Sequence, residues 1–224
     1  MARWTATNSE GYEAPAALAV DVVVLTVRER ALRALVVERP EGDLALPGGF
    51  VGPAEAPHET ARRKLEEKTG LADLYLEQLA TFAEPGRDPR GWIPSIAHMA
   101  LVPPGTEPAD PAARWVSPRR RGRLAFDHDR IVAAALDRLR GKLWWSNVAV
   151  GILPGGFTMS EAREVYEAIG GREYDPATFA RDLKATGLVE PTGEQRSSGR
   201  GRPAAAYRFR RHELEWGAGR RKRV

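Results

Sequence analysis

The stretch Gly49–Leu71, GFVGPAEAPHETARRKLEEKTGL, decides how the rest of the chain is read. Its second half has the length and rhythm of an amphipathic helix. Pro57 suits the first turn, where a missing N–H costs nothing, and Gly70 suits the left-handed position that closes a helix. At about 100° per residue, Lys64, Glu67 and Lys68 form one stripe, with Ala61 and Leu65 on the neighbouring face toward a sheet. Glu66 points away from that stripe. One carboxylate flanked by two ammonium groups is a poor seat for a divalent cation. It is better suited to ion pairing, or to meeting the oxygens of an anion.

Working outward, DVVVLTV (Asp21–Val27) and ALRALVVERP (Ala31–Pro40) read as β-branched strands joined by a short polar turn. The Gly/Pro-rich segment 42–57 reads as a loop. LYLEQLATFAEP and IPSIAHMALVP read as further strands joined by the turn Gly86–Gly91, GRDPRG, and residues 103–114 as a surface loop. In the GRDPRG turn, Arg87 and Arg90 flank a Pro-stiffened bend and are expected to aim both guanidiniums at one anionic ligand. FDHDRIVAAALDRLRGKL is a helix with Asp127 as its N-cap. Together these elements predict an α/β domain over residues 1–141.

Beyond it the pattern changes. FTMSEAREVYEAIGG opens on the capping box Thr158–Glu161, and YDPATFARDLKATG has Asp175 as N-cap and Pro176 at the first helical position. Two short strands, LVEPT and AAAYRF, flank a polar, basic loop. Helix, tight turn, helix and basic hairpin predict a winged helix-turn-helix over residues 142–224. Phe179 and Leu183 mark the buried face of its second helix, so Ala177, Thr178, Arg181, Lys184 and Ala185 face outward. Small and basic residues there suit the major groove, and Arg196, Arg200 and Arg202 suit a wing against phosphates.

Charge agrees with this division. Residues 141–224 carry 15 basic and 10 acidic residues, leaving 19 and 20 in the first 140. A basic C-terminal part beside a near-neutral remainder points to a polyanion-binding module. There is no cysteine, which excludes disulfides and thiolate metal sites. The longest apolar run, Ala16–Val27, is too short for a bilayer and contains Asp21; with no signal-type N-terminus, a cytoplasmic protein without membrane association is expected. The four histidines, His58, His98, His128 and His212, lack metal-ligand spacing. No Ser/His/Asp arrangement or GxSxG elbow is present, so nucleophilic hydrolysis has no support. The role of the basic run Arg119–Arg123 stays open.

The string Gly49–Leu71 resembles the Nudix box, G-x5-E-x7-R-E-U-x-E-E-x-G-U, in which U is a large aliphatic residue. Gly49, Glu55, Arg63, Leu65, Glu67, Gly70 and Leu71 fall on the pattern, and Leu46–Gly49, LPGG, precedes it as is typical. Lys64 and Lys68 stand where the box has glutamates. With LAFDHDRI and GRGRPAAAYRF, the chain resembles the Nudix-related transcriptional regulators of NAD metabolism, the NrtR family. The resemblance implies a Nudix-fold mixed sheet with flanking helices, followed by a C-terminal winged helix-turn-helix. It further implies a homodimer on a double-stranded DNA operator, with repression relieved by ADP-ribose or a related nucleotide, although some relatives retain hydrolysis. Lys64 and Lys68 at the metal-ligand positions predict no catalytic residue and no metal here, and no cofactor is expected. The expected ligand contacts are Gly48, Gly49, Phe50, Lys64, Glu67, Lys68, Arg87 and Arg90. Three other readings stay open: an active Nudix pyrophosphohydrolase of ADP-ribose-like substrates using Glu84 or Asp88, a regulator of the same build sensing a sugar, and a helical module for protein contact.

Overall fold

The structure, a computed structural model, describes residues 10–11, 17–119, 122–153, 155–196 and 203–210. The chain divides into two compact units, Met1–Arg138 and Leu139–Val224.

The first unit is built around β1 (Ala19–Arg28), buried along nearly its whole length. A strand so apolar belongs at the centre of a sheet covered on both faces. It turns into β2 (Ala31–Glu38) through Glu29 and Arg30, both left-handed with φ of 49° and 57°. Two successive positive φ values make the tight turn that matches strand twist, here without glycine. On its other side β1 pairs in parallel with β6 (Ser95–Leu101), which pairs antiparallel with β5 (Glu77–Phe82). The Gly/Pro-rich segment, expected to be loop throughout, contains two short strands. β3 (Leu44–Ala45) pairs with β2 and β4 (Gly48–Phe50) with β1. β7 (Ala113–Val116) emerges from the end of the predicted surface loop and also pairs with β2. The result is a mixed seven-stranded sheet.

Helix α1 (Pro57–Thr69) lays Thr60, Ala61, Leu65 and Thr69 inward. Ala61 and Leu65 share one core with Val20, Val22, Leu35 and Val102. Gly70 ends the helix at φ 73°, and a β-carbon on it would lie 2.5 Å from the Ala109 side chain. Both conformation and space therefore require glycine there. Helix α2 (His128–Lys142) belongs to the first unit through Arg138, and its last residues, Leu139–Lys142, belong to the second.

The second unit continues with a 3-10 turn (Val148–Gly151), α3 (Met159–Gly170), α4 (Pro176–Ala185) and the hairpin β8 (Val189–Arg196) and β9 (Ala204–Phe209). The capping box is formed: Thr158 Oγ1 accepts from the Glu161 N–H at 3.2 Å, and Glu161 accepts from the Thr158 N–H at 2.7 Å. Asp175 caps α4 by accepting from the Thr178 N–H at 2.8 Å. β8 runs further than its apolar residues suggested. Its pairing shifts register between Pro191 and Gln195, where Gly193 takes φ 86°. Phe157 exchanges two backbone hydrogen bonds with Tyr207, each 2.7 Å, an isolated antiparallel bridge on the side of β9 away from β8. Trp144, Tyr166, Tyr174 and Phe179 pack ring against ring beneath the helices, with Tyr166 edge-on to Trp144 at 5.0 Å. Among the described residues no helix is long and apolar enough to cross a membrane.

Candidate functional site

In the first unit a cavity of about 140 Å³ opens where β1, β4, the end of α1, the turn 86–91 and the start of α2 converge. Its floor is a buried polar network. Asp21 on β1 accepts from Ser95 Oγ at 2.6 Å and lies 3.1 Å from His128 Nε2. The Leu46 N–H donates to His128 Nδ1 at 2.9 Å. That bond leaves Nδ1 without a proton, so the ring proton sits on Nε2 and faces Asp21. Gly48 stands opposite Asp21 in the β4–β1 pairing, and a β-carbon on it would fall 2.5 Å from the Asp21 carboxylate. The glycine is needed for the aspartate to reach its partners.

Arg87 is part of this floor. Its side chain is 3% exposed, and it donates to Asp127 from Nε and Nη2, to the Ile93 carbonyl from Nη1 and, at 3.4 Å, to Asp21. Arg87 and Arg90 both line the cavity. Burying a guanidinium without carboxylates would be costly, and Asp21 and Asp127 satisfy that of Arg87 at the cavity floor. The expectation for Asp127 is corrected: its side chain grips Arg87 instead of capping α2. Burial pushes the Asp21 carboxyl up, yet His128, Ser95 and Arg87 outweigh it and hold the group below its ordinary value.

The two lysines of α1 have separate environments. Lys64 Nζ donates to Glu67 at 2.7 Å, and its aliphatic stem lies against Gly49, where a β-carbon would come within 2.9 Å. Arg63 donates to the other Glu67 oxygen at 2.9 Å and grips Glu55 with two bonds of 2.8 and 2.6 Å. Both Glu67 oxygens are thus taken by cations. Lys64 and then Arg63 hold the Glu67 carboxyl below its usual range, and the Arg63 bonds bring Glu55 down to about 2. Lys68 instead lines the cavity. Partial burial and then the Lys64 charge lower its pKa. Among the described residues no group of three His, Cys, Asp or Glu side chains is arranged to hold a metal. At the box positions, Lys64 and Lys68 offer no carboxylate and both Glu67 oxygens are engaged by cations, a donor set poorly matched to a divalent cation. The carboxylates named as substitutes are committed elsewhere, Asp88 to Arg90 at 2.6 Å and Glu84 to Arg130 at 3.4 Å.

Arg90 stays at the cavity, its guanidinium 4.7 Å from the Phe50 ring and 5.2 Å from that of Phe126. Arg39 lies 4.7 Å from the Phe126 ring. Asp21, Arg39, Phe126 and His128 were missed in the sequence. A signal existed for Asp21, a lone charge in a β-branched run that must be paired if buried.

In the second unit α4 buries Phe179 and Leu183. Ala177, Thr178, Arg181, Lys184 and Ala185 are exposed. Arg181 pairs only with its neighbour Asp182 at 3.0 Å among the described contacts, and its side chain is 73% exposed. Lys184 lies 5.1 Å from the Tyr207 ring of the hairpin. Arg196 is exposed on the last rung before the hairpin loop, opposite Ala204, and donates to the Gly156 carbonyl. Arg200 and Arg202 lie outside the described residues, as do Arg120 and Arg121; Arg119 and Arg123 are exposed.

Comparison with known proteins matches residues 15–135 to the NUDIX domain and residues 149–209 to the NrtR DNA-binding winged helix domain. The chain is 33% identical over 204 residues to the ADPR responsive transcriptional repressor NtrR of Acinetobacter baylyi, covering 86% of this chain and 81% of that one. The chain belongs to the NrtR family. Shewanella oneidensis NrtR, solved with a 27mer DNA, superposes with a TM-score of 0.73 at 32% identity, over 86% of this chain and 93% of that one. The NUDIX domain of the same NrtR, solved with ADP ribose, matches at 32% identity and a TM-score of 0.50, over 59% of this chain and 93% of that one. A Nudix domain followed by a C-terminal winged helix is thus the architecture of this NrtR-family chain.

Proposed function

We propose that the chain is a DNA-binding repressor whose Nudix domain senses ADP-ribose or a related nucleotide without hydrolysing it, in the control of NAD-metabolism genes. The observation that carries this reading is the state of Glu67. Its two oxygens are held by Arg63 and Lys64 where the Nudix box would present a metal, in a domain joined to a winged helix. Ammonium and guanidinium groups can neutralise phosphate oxygens but cannot generate a bound hydroxide. Lys68 is the α1 residue that meets the pyrophosphate, with Arg39, Arg90 and the Gly48–Gly49 backbone around it; Lys64 tethers Glu67 beside them. Two copies of the chain place two α4 helices on a palindromic operator, with Thr178, Arg181 and Lys184 toward the groove. The ADP-ribose and the DNA held by the Shewanella proteins support both halves.

A gel-shift on the DNA upstream of the chain's own gene, with and without ADP-ribose, tests the reading. Retardation that ADP-ribose relieves is expected. If no operator is retarded, the regulator is wrong; if retardation ignores ADP-ribose, the effector is wrong. Incubation of ADP-ribose with the protein and Mg²⁺ or Mn²⁺ is expected to leave the nucleotide intact, and turnover would overturn the non-hydrolytic part.

A further inference from the structure

The basic residues of the second unit do not all have the same kind of partner. Arg163, Arg181 and Arg208 each pair with a carboxylate, at 2.6, 3.0 and 2.9 Å. Arg172 and Lys184 have no carboxylate partner among the described residues. Each lies over an aromatic ring instead, Arg172 4.8 Å from the centre of Tyr174 and Lys184 5.1 Å from that of Tyr207. Both residues are exposed. Both rings are fixed. The Tyr174 N–H donates to Glu167 at 2.9 Å, and its ring packs on Trp144 and Phe179 at 5.6 and 5.7 Å. Tyr207 pairs with Pro191 of β8 on one side and with Phe157 on the other. The two cations also flank α4. Arg172, in the turn before the helix, shares an open groove with Thr178 and Asp182. At about 100° per residue, Arg181 stands midway between Thr178 and Lys184, about 60° from each. One ring-held cation therefore lies on each side of the face that carries Arg181.

We infer that Arg172 and Lys184 contact phosphates of the two DNA strands that border one major groove, and that Tyr174 and Tyr207 are the residues that position them. The inference rests on the DNA-binding reading above and adds to it a cation outside α4 and two rings. A helix seated in the major groove has a phosphate backbone along each flank. A cation already paired with a carboxylate must loosen that pair to meet a phosphate. A cation on a ring face keeps N–H groups available, and the ring narrows the conformations of a long, mobile side chain before DNA arrives. Contacts on both flanks, one before the helix and one in its last turn, fix how α4 lies between the strands.

Fluorescence anisotropy on the full chain with the DNA upstream of its own gene, at several salt concentrations, tests it. Arg172→Ala is expected to reduce the slope of log affinity against log salt by about one, and Lys184→Ala to do the same. Tyr174→Leu and Tyr207→Leu keep both charges, so each is expected to weaken binding about two- to fivefold with the slope retained. Tyr174→Phe and Tyr207→Phe keep the ring face and are expected to bind like wild type. A slope that Arg172→Ala leaves unchanged, Leu variants that bind like wild type, or Phe variants as weak as the Leu ones overturn the inference while DNA binding stands. Arg172 is exposed, so its variant decides the matter even where a Leu variant fails to fold. Wild-type protein without salt-dependent binding removes the DNA-binding reading itself.

Discussion

Arg87 and Arg90 sit three residues apart on one turn and have different surroundings. Arg87 is buried between Asp21 and Asp127, so removing it leaves carboxylates without their cation in a region of low dielectric. Arg87→Ala is therefore expected to destabilise the first unit by about 3–5 kcal/mol, read by chemical denaturation. A side chain that served only the ligand would lower affinity and leave stability unchanged. Glu55 offers a second test. Its carboxyl is held at about 2, below its ordinary 4.5, by the Arg63 bonds. A depressed carboxyl contributes stability that is whole above the unfolded value and is lost as pH falls through the folded one. The melting temperature of Glu55→Gln is expected to trail wild type at pH 7, with the gap closing between about pH 4.5 and 2.

At the scale of elements, α1, α3 and α4 were legible because their ends carry local chemistry: Pro57 and Gly70, Thr158 with Glu161, Asp175 with Pro176. The short strands β3, β4 and β7 were not. They hold two to four residues each, and β1 and β2 impose their pairing from far along the chain. The site divided in the same way. The α1 stripe follows from helical periodicity, whereas Asp21 meets Arg87 across 66 positions and Arg87 meets Asp127 across 40, which no local pattern encodes. The outward face of α4 followed from Phe179 and Leu183 alone. Arg181→Ala on that face is expected to weaken operator binding and to reduce the slope of log affinity against log salt by about one, measured by fluorescence anisotropy at several salt concentrations. An unchanged slope would mean that Arg181 meets no phosphate.

Across the whole molecule, the proposed repressor requires that sensing and DNA binding be coupled through one free energy. A ligand that lowers operator affinity must bind the DNA-bound form more weakly by the same factor. ADP-ribose affinity measured with and without saturating operator is expected to fall by the factor by which ADP-ribose weakens operator binding. Unequal factors would show a further linked state, such as a change in the number of associated copies. The basic excess of residues 141–224 adds attraction to any DNA. Coupling should therefore be measured on operator and on unrelated sequence at one salt concentration.

The grip of Arg63 on Glu55 has a consequence for how such chains are recognised. The pair ties the loop after β4 to the middle of α1, and the Gly52 N–H donates to the same carboxylate at 3.2 Å. This fastening works at any metal concentration and without any substrate. Losing either residue would release the loop from α1, whatever stands at positions 64 and 68. Half of the signature that advertises a pyrophosphatase is therefore carpentry, and the reactive half can be rewritten while the label stays legible.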